Sequence, residues 1–424
     1  MIYKKIILFL LVLSNLLAVD AELDIIRKQS TIPNIAVIVT SSTINSTLAN
    51  NIKVLLEKDL EVSGHFNVQL TTLKINNIFE NINFSNKKLQ KLDLLINIEI
   101  NKNSKRNIEV VMNLVDLNKK ETIFGKTYSI TNSNRYPFLS HKIAIAVNDN
   151  LNAPSIEWMD RFVIFARYTK AKKSEIVVAD YTLTYQKTVV KGGLNIFPKW
   201  ANKDQDSFYY TSYGDLYPAL IHQDLYTSKS KKILDSDGMI VCSDVSDDGS
   251  KIIVTMAPEG QPDIYIYDVN SKIKTRLTTY SGIDVGGNFV ENDTKVVFVS
   301  DRLNKPNIFA KKIGETGVER LVYHGKNNSQ ASTFNDYIVY SSRERVNEFG
   351  RNMFNLYLIS TQSESIRRLT TQGVNQFPKF SQDGESILFI KNYNDKSYLG
   401  IIRLNYNKSF LFSLKSGKLQ SIDW

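Results

Sequence analysis

From about residue 152 onward the chain repeats itself, and that repeat limits the fold more than any other feature of the sequence. Aligning Phe197-Pro198-Lys199-Trp200 with Phe377-Pro378-Lys379-Phe380 sets the phase. The apolar position before each Asp/Asn turn then falls at Ile156, Trp200, Val245, Phe289, Phe334 and Phe380, at intervals of 44, 45, 44, 45 and 46 residues. A first apolar strand is expected after the turn, at 252–256, 296–300, 338–342 and 387–391. A second follows at 264–269, 307–311, 355–360 and 399–405, and a short third ends in Arg276-Leu277-Thr278 or Arg368-Leu369-Thr370. Three or four strands in such a unit cannot bury both faces alone, so neighbouring units must stack. Asp248-Gly249 and Asp383-Gly384 supply the turn chemistry between strands. Six units predict a closed six-bladed β-propeller, an arrangement that also removes exposed sheet edges. Six hairpins in a sandwich would not demand so constant an interval.

Residues 22–151 have a different texture. A continuous apolar strand at 35–39 precedes a helical spacing of Leu48, Ile52, Leu55, Leu56 and Leu60, which stops at Ser63-Gly64. Residues 66–70 read as a strand, 94–100 and 108–117 as a hairpin around a polar loop, and 137–151 as a helix with Ile143, Ala144 and Val147 on one face. The expected architecture is an α/β N-terminal domain over residues 22–151, followed by an all-β six-bladed β-propeller over 152–424.

The first 21 residues read as a signal peptide. Lys4 and Lys5 precede an apolar run from 6 to 17, broken only by Ser14 and Asn15, and Val19 and Ala21 suit cleavage after Ala21. A retained anchor helix would need roughly 20 apolar residues, more than the run provides. No cysteine stands at the cleavage site to carry a lipid, so the mature chain is expected to be exported, soluble and peripheral to membranes. Cys242 is the one cysteine in the chain, so no internal disulfide can form. The formal charge of +10 falls to +9 once Lys4, Lys5 and Asp20 are removed. The lysines and arginines are spread along the chain in short doublets, which reads as a solvated basic surface and not as a nucleic-acid footprint.

Enzyme motifs are scarce. The sequence has no G-x-S-x-G elbow, no Walker phosphate loop and no H-E-x-x-H, and His65, His141, His222 and His324 lie far apart. Asp244, Asp247 and Asp248 fail the spacing of a calcium loop and read as turn residues. Cys242 has no cationic sequence neighbour to activate it and reads as a packed side chain. No catalytic residue, metal or cofactor is expected.

The functional surface is expected at one end of the propeller channel, where loops before the innermost strands converge. These carry Asn195 and Phe197; Met239 and Cys242; Asp284, Val285 and Gly286; Gln330 and Ala331; and Asn375, Gln376 and Phe377. Each loop alone is a connector; together they form a concave mouth able to take a peptide or a partner domain. A second candidate is the mature N-terminus, Glu22, Leu23, Asp24, Ile25, Ile26 and Arg27, which can pack on its own domain or add to a partner's sheet.

Within the blades, the stretch Val296-Val297-Phe298-Val299-Ser300-Asp301-Arg302 is followed by Pro306-Asn307-Ile308-Phe309. Together with Leu60-Glu61-Val62-Ser63-Gly64-His65-Phe66 and His141-Lys142-Ile143-Ala144 of the first domain, it resembles the TolB family. The likeness runs over essentially the whole mature chain. Val290-Glu291-Asn292-Asp293 and Thr333-Phe334-Asn335-Asp336 depart from the family's Ser-Pro-Asp-Gly turn, and 156–160 is degenerate. The resemblance implies a monomeric periplasmic protein of a Tol-Pal system. It would bind a Pal-like peptidoglycan-associated lipoprotein at the mouth and a TolA-like inner-membrane protein through the tail, serving outer-membrane integrity, cell division and toxin import. The competing readings are a secreted propeller enzyme acting on peptides or glycans, and a lone peptidoglycan or polysaccharide binder.

Overall fold

The computed structural model describes residues 32–424, apart from 45, 72–88, 103–106, 215, 326, 346–351 and 364. The expected signal peptide and the tail residues Glu22 to Arg27 lie outside the described residues.

The N-terminal unit is a five-stranded sheet in the order β2-β1-β3-β4-β5. Its strands are β1 (Asn34–Ser42), β2 (Asn67–Val68), β3 (Leu94–Lys102), β4 (Ile108–Asp116) and β5 (Glu121–Ile130). β1 pairs in parallel with β2 and β3, and the remaining pairs are antiparallel. Helices α1 (Ser46–Ser63) and α2 (Tyr136–Asn150) pack on it. The 3.6-residue spacing read in the sequence puts Ile52, Leu56 and Leu60 on the buried side of α1, and Pro137 opens α2 where its missing N–H costs nothing. β5 has no counterpart among the strands expected from the sequence. Most of its side chains are exposed and it carries Gly125 and Lys126, so no clean two-residue alternation marks it.

The remaining strands form six four-stranded units, two of which join into one sheet through the single parallel pair Phe354 and Val374. The strands expected from the repeat are present with boundaries shifted by a few residues, for example Lys251–Met256, Lys295–Ser300 and Ser386–Tyr393. Two expectations are corrected. The segments read as loops at the mouth are themselves the innermost strands: Asn195–Trp200 in blade 2, Ile240–Val245 in blade 3, Asp284–Val290 in blade 4, Asn328–Phe334 in blade 5 and Val374–Phe380 in blade 6. Ile156 does not begin blade 1; it is buried ahead of the short turn of helix Glu157–Asp160. The innermost strand of blade 1 comes from the other end of the chain, Lys418–Asp423, which pairs antiparallel with Val163–Lys170. The six innermost strands pack each against the next in a closed cycle.

The two units share one hydrophobic core. Ile52, Leu56 and Ile143 from the N-terminal side belong to the same buried cluster as Trp158, Tyr181, Phe165 and Ile422. The seam contains a charged group: His141 Nδ1 lies 2.9 Å from Asp59 Oδ2 and its Nε2 lies 3.4 Å from Asp180 Oδ2, while Tyr181 donates its hydroxyl to Asp59 at 2.6 Å. All four side chains are buried. Contacts to Tyr406 and Phe410 of blade 6 extend the seam through Gly64, His65 and Lys58.

Candidate functional site

The propeller axis carries two openings of different chemistry. The first is a cavity of about 320 Å³ walled by Phe197, Pro198, Met239, Val241, Cys242, Val285, Ala331, Phe377 and Pro378, with Ser421 and Ile422 closing the ring. The second, about 890 Å³, is lined mostly by polar residues at the opposite ends of the same strands, among them Asp247, Asn292, Asp293, Ser332 and Asn335.

The N-terminal unit touches blades 1 and 6 through residues 158–162, 180–185 and 404–410, which sit where the innermost strands finish. The apolar mouth is lined by the first halves of those strands. It therefore opens on the face turned away from the N-terminal unit.

Every innermost strand has an irregularity in its pairing. The register shifts between Thr211 and Tyr209 opposite Phe197, between Cys242 and Asp244, between Val285 and Asn288, between Ser329 and Ser332, between Gln376 and Lys379, and between Leu419 and Ser421. At four of these points the extra residue adopts a positive φ: Phe197 (54°), Gly286 (66°), Gln330 (54°) and Phe377 (53°). A bulge turns the local strand and re-aims a side chain. It also frees a backbone N–H, and here the neighbouring blade accepts it. The amide of Phe197 donates to Ser421 Oγ at 3.0 Å, that of Gly286 to Thr255 Oγ1 at 3.1 Å, and that of Phe377 to Gln330 Oε1 at 3.1 Å. The irregularity that shapes the mouth thus also ties the blades together.

Charge gathers where the two openings meet, since Lys199 and Lys379 line both. Lys199 Nζ lies 3.1 Å from Asp244 Oδ1 and 3.1 Å from Asp423 Oδ1, and Lys379 Nζ lies 3.8 Å from Asp423 Oδ1. Asp423 and Asp244 also accept the amides of Trp200 and Phe289, at 2.9 and 2.8 Å. Burial alone would lower Lys199, but the two carboxylates hold it well above the usual lysine range. Lys379 is pushed below its ordinary value by burial, and by the cationic Lys199 beside it. Burial likewise raises the Cys242 thiol well above its ordinary value, which keeps it protonated and unreactive.

Of the residues expected at the mouth, Phe197, Met239, Cys242, Val285, Gly286, Gln330, Ala331 and Phe377 line it. Asn195, Asp284, Asn375 and Gln376 do not; the first three are buried and bound to partners of their own. Asn375 Nδ2 donates to the carbonyls of Phe354 and Gln372 at 2.9 Å each, Asn195 holds Gly192, and Asp284 pairs with Arg302 at 3.0 Å. They brace the mouth from within. Sequence reasoning missed Lys199, Lys379, Ser421 and Ile422. The two lysines stand in the repeated Phe-Pro-Lys stretches, where a charge kept at one repeat position signalled an inward place; the C-terminal pair had no repeat partner to flag it.

The second candidate, the tail, enters the described chain at Ile32 and Pro33. These line a cleft of about 540 Å³ together with His65, Phe66, Leu94, Pro154 and Tyr406, at the seam between the two units. Among the described residues no group of three or more His, Cys, Asp or Glu side chains is placed to hold a metal ion.

Two family models match the chain: the TolB amino-terminal domain over residues 21–123 and the TolB beta propeller domain over residues 160–424. The Tol-Pal system protein TolB of Wolinella succinogenes is 47% identical, covering 99% of this chain and 100% of that one. The protein of the same name from Campylobacter jejuni is 46% identical over 99% of this chain and 100% of its own. Among solved structures, that of TolB from Acinetobacter baumannii covers 92% of this chain and 96% of its own with a TM-score of 0.77; at 20% identity it speaks to the fold alone.

Proposed function

The chain belongs to the TolB family, and from that premise we propose that it is a periplasmic, non-catalytic component of a Tol-Pal envelope system that works by holding other proteins. The observation that carries this reading is the apolar mouth: the innermost strands deliver Phe197, Met239, Val285, Ala331 and Phe377 to one concave site on the face free of the N-terminal unit. An apolar pocket rimmed by polar groups is the form a protein anchor residue needs. On this reading the mouth receives a Pal-like peptidoglycan-associated lipoprotein. The tail, Glu22 to Arg27, engages a TolA-like inner-membrane protein, and the cleft beside Ile32 offers the same tail a resting place on its own chain. A ligand at the mouth would change the tail's position only by as much as it prefers one position over the other. Outer-membrane integrity, cell division and toxin import follow as the roles such a switch would serve.

Binding fits the site better than catalysis on peptides or glycans. The titratable groups nearest the mouth, Lys199, Lys379, Asp244 and Asp423, are engaged with one another, and Cys242 is buried with its thiol raised. The test uses the mature chain and the purified soluble domains of the lipoprotein and the TolA-like protein of the same organism, measured by calorimetry. The lipoprotein should bind the wild type, lose at least tenfold affinity to Ala331→Trp, and be indifferent to removal of residues 22–33; the TolA-like domain should bind only when those residues are present. If neither domain binds the wild type, the reading falls.

A further inference from the structure

The lysines that look scattered in the sequence gather in space at one edge of the mouth. Lys170, Lys172, Lys173, Lys191, Lys415 and Lys418 are all exposed, and all stand on or beside turns of blades 1 and 6 at the end where the apolar mouth opens. The backbone pairing fixes their closeness. Lys170 pairs with Lys173 across a tight turn, Lys418 pairs with Tyr168, the amide of Ser174 donates to the carbonyl of Gly193 near Lys191, and the amide of Leu414 donates to the carbonyl of Ser397. Among the described residues none of these lysines forms an ion pair. Glu175 of blade 1 is taken up by Arg167 at 2.8 Å, and Asp395, next to Lys396, is the one carboxylate on those turns.

The opposite edge of the same face is different. There the turns and links of blades 2 to 5 mix charges of both signs, Asp237, Glu259 and Lys305 among them, with Leu216, 95% exposed, Tyr217, Leu303 and Tyr323, 77% exposed. Uncompensated like charges repel one another and gain nothing for the fold, so their placement calls for a partner.

Resting on the reading of the mouth as a protein socket, we infer that the lysine arc on blades 1 and 6 is a steering surface for an acidic edge of the protein that docks there. A flat anionic lipid surface would be met as well by lysines placed evenly around the rim. An arc of like charge on one side, facing an edge of mixed charge and exposed apolar side chains on the other, fixes the rotation of a docked protein about the propeller axis. Charges at a rim act chiefly on the association rate and on its salt dependence, while the buried anchor sets dissociation.

The experiment measures association and dissociation of the lipoprotein's soluble domain by stopped-flow, from low to physiological ionic strength. The proteins compared are the wild type, a quadruple variant carrying Lys172→Glu, Lys173→Glu, Lys415→Glu and Lys418→Glu, the same four positions changed to Gln, and Ala331→Trp. Thermal melts check that each variant folds, and the Gln set stands in should charge reversal upset folding. The association rate should drop at least tenfold in the Glu variant and by an intermediate amount in the Gln variant, with a flatter salt dependence and little change in dissociation; Ala331→Trp should act on dissociation instead. Unchanged association and salt slope in both lysine variants would overturn the inference while leaving the socket standing. So would wild-type capture by phosphatidylglycerol-rich vesicles that the lysine variants lose while their lipoprotein kinetics stay unchanged, since that assigns the arc to lipid. No lipoprotein binding by the wild type would overturn the socket reading and the steering surface with it.

Discussion

Phe377 shows how far a single residue is held from its preferred state. A bulky side chain in the left-handed region costs roughly 1–2 kcal/mol, and Phe377 is held there, at φ +53°, by the bond from its amide to Gln330 and by the bulge around it. Strain kept at a concave site, with the ring forming part of the wall, points from geometry toward binding. Phe377→Gly should therefore change stability by no more than about 2 kcal/mol, relief of backbone strain offsetting lost burial, yet weaken lipoprotein binding at least tenfold. Full affinity in a folded Phe377→Gly protein would remove the ring from the anchor. Gly384 is the reverse case. Its φ is +73°, and an added Cβ would run into the ring of Phe334, which packs on Phe380 with centroids 5.8 Å apart. Gly384→Ala should cost about 3 kcal/mol in urea denaturation, combining backbone strain with overpacking; a loss well under about 1 kcal/mol would mean the ring has room to move.

Among the elements, the C-terminal strand Lys418–Asp423 matters most, because it is the innermost strand of a blade whose other strands begin at Val163. Removing residues 418–424 would expose the edge of Val163–Lys170, deprive Lys199 of Asp423, and leave the amide of Trp200 without its acceptor. The truncated chain should lose its cooperative thermal melt and elute with aggregates in size-exclusion chromatography. A sharp melt near the full-length temperature would show that the ring closes without this strand. The same element marks where sequence reasoning stops. The strands of blades 3 to 6 are legible because Val, Ile and Phe runs such as 296–299 are buried on both faces and bounded by turn residues. The innermost strands pass for loops because buried polar residues such as Asn195 and Asn375, and the bulges beside them, break both the apolar run and the two-residue alternation. Ring closure cannot be read at all, since it pairs the two ends of the propeller and leaves no local pattern. The mouth is legible nonetheless, because repeat phase alone puts Phe197, Cys242, Gly286, Ala331 and Phe377 at equivalent places, each three residues before its apolar anchor.

Across the whole molecule the two units are joined by a buried charge, and this couples their stability to pH. His141 sits between Asp59 and Asp180, with Tyr181 bonded to Asp59, the edge of Phe138 against its ring, and the Lys142–Asp160 pair nearby. Burial alone would lower the histidine, but Asp59 and Asp180 overcome it and raise it to about 10, from an ordinary 6.5. Between those two values the folded chain keeps a proton that the unfolded chain releases. The stabilisation is thus complete below about pH 6.5, declines as pH rises, and is gone above about pH 10. Because the core runs through the seam without a break, loss of this group should weaken both units at once. Calorimetry of the wild type should show one unfolding peak that moves down between pH 6.5 and about 10, and Asp59→Ala should lower that single peak by an amount equivalent to about 3–5 kcal/mol, the cost of stripping a partner from a buried charge. In His141→Gln the pH dependence over the same window should flatten. A wild-type slope that survives in His141→Gln would mean that another group carries the pH dependence, while two resolved peaks would mean that the seam does not join the propeller to the N-terminal unit energetically, and that a signal at the mouth would have no rigid path to the cleft beside Ile32.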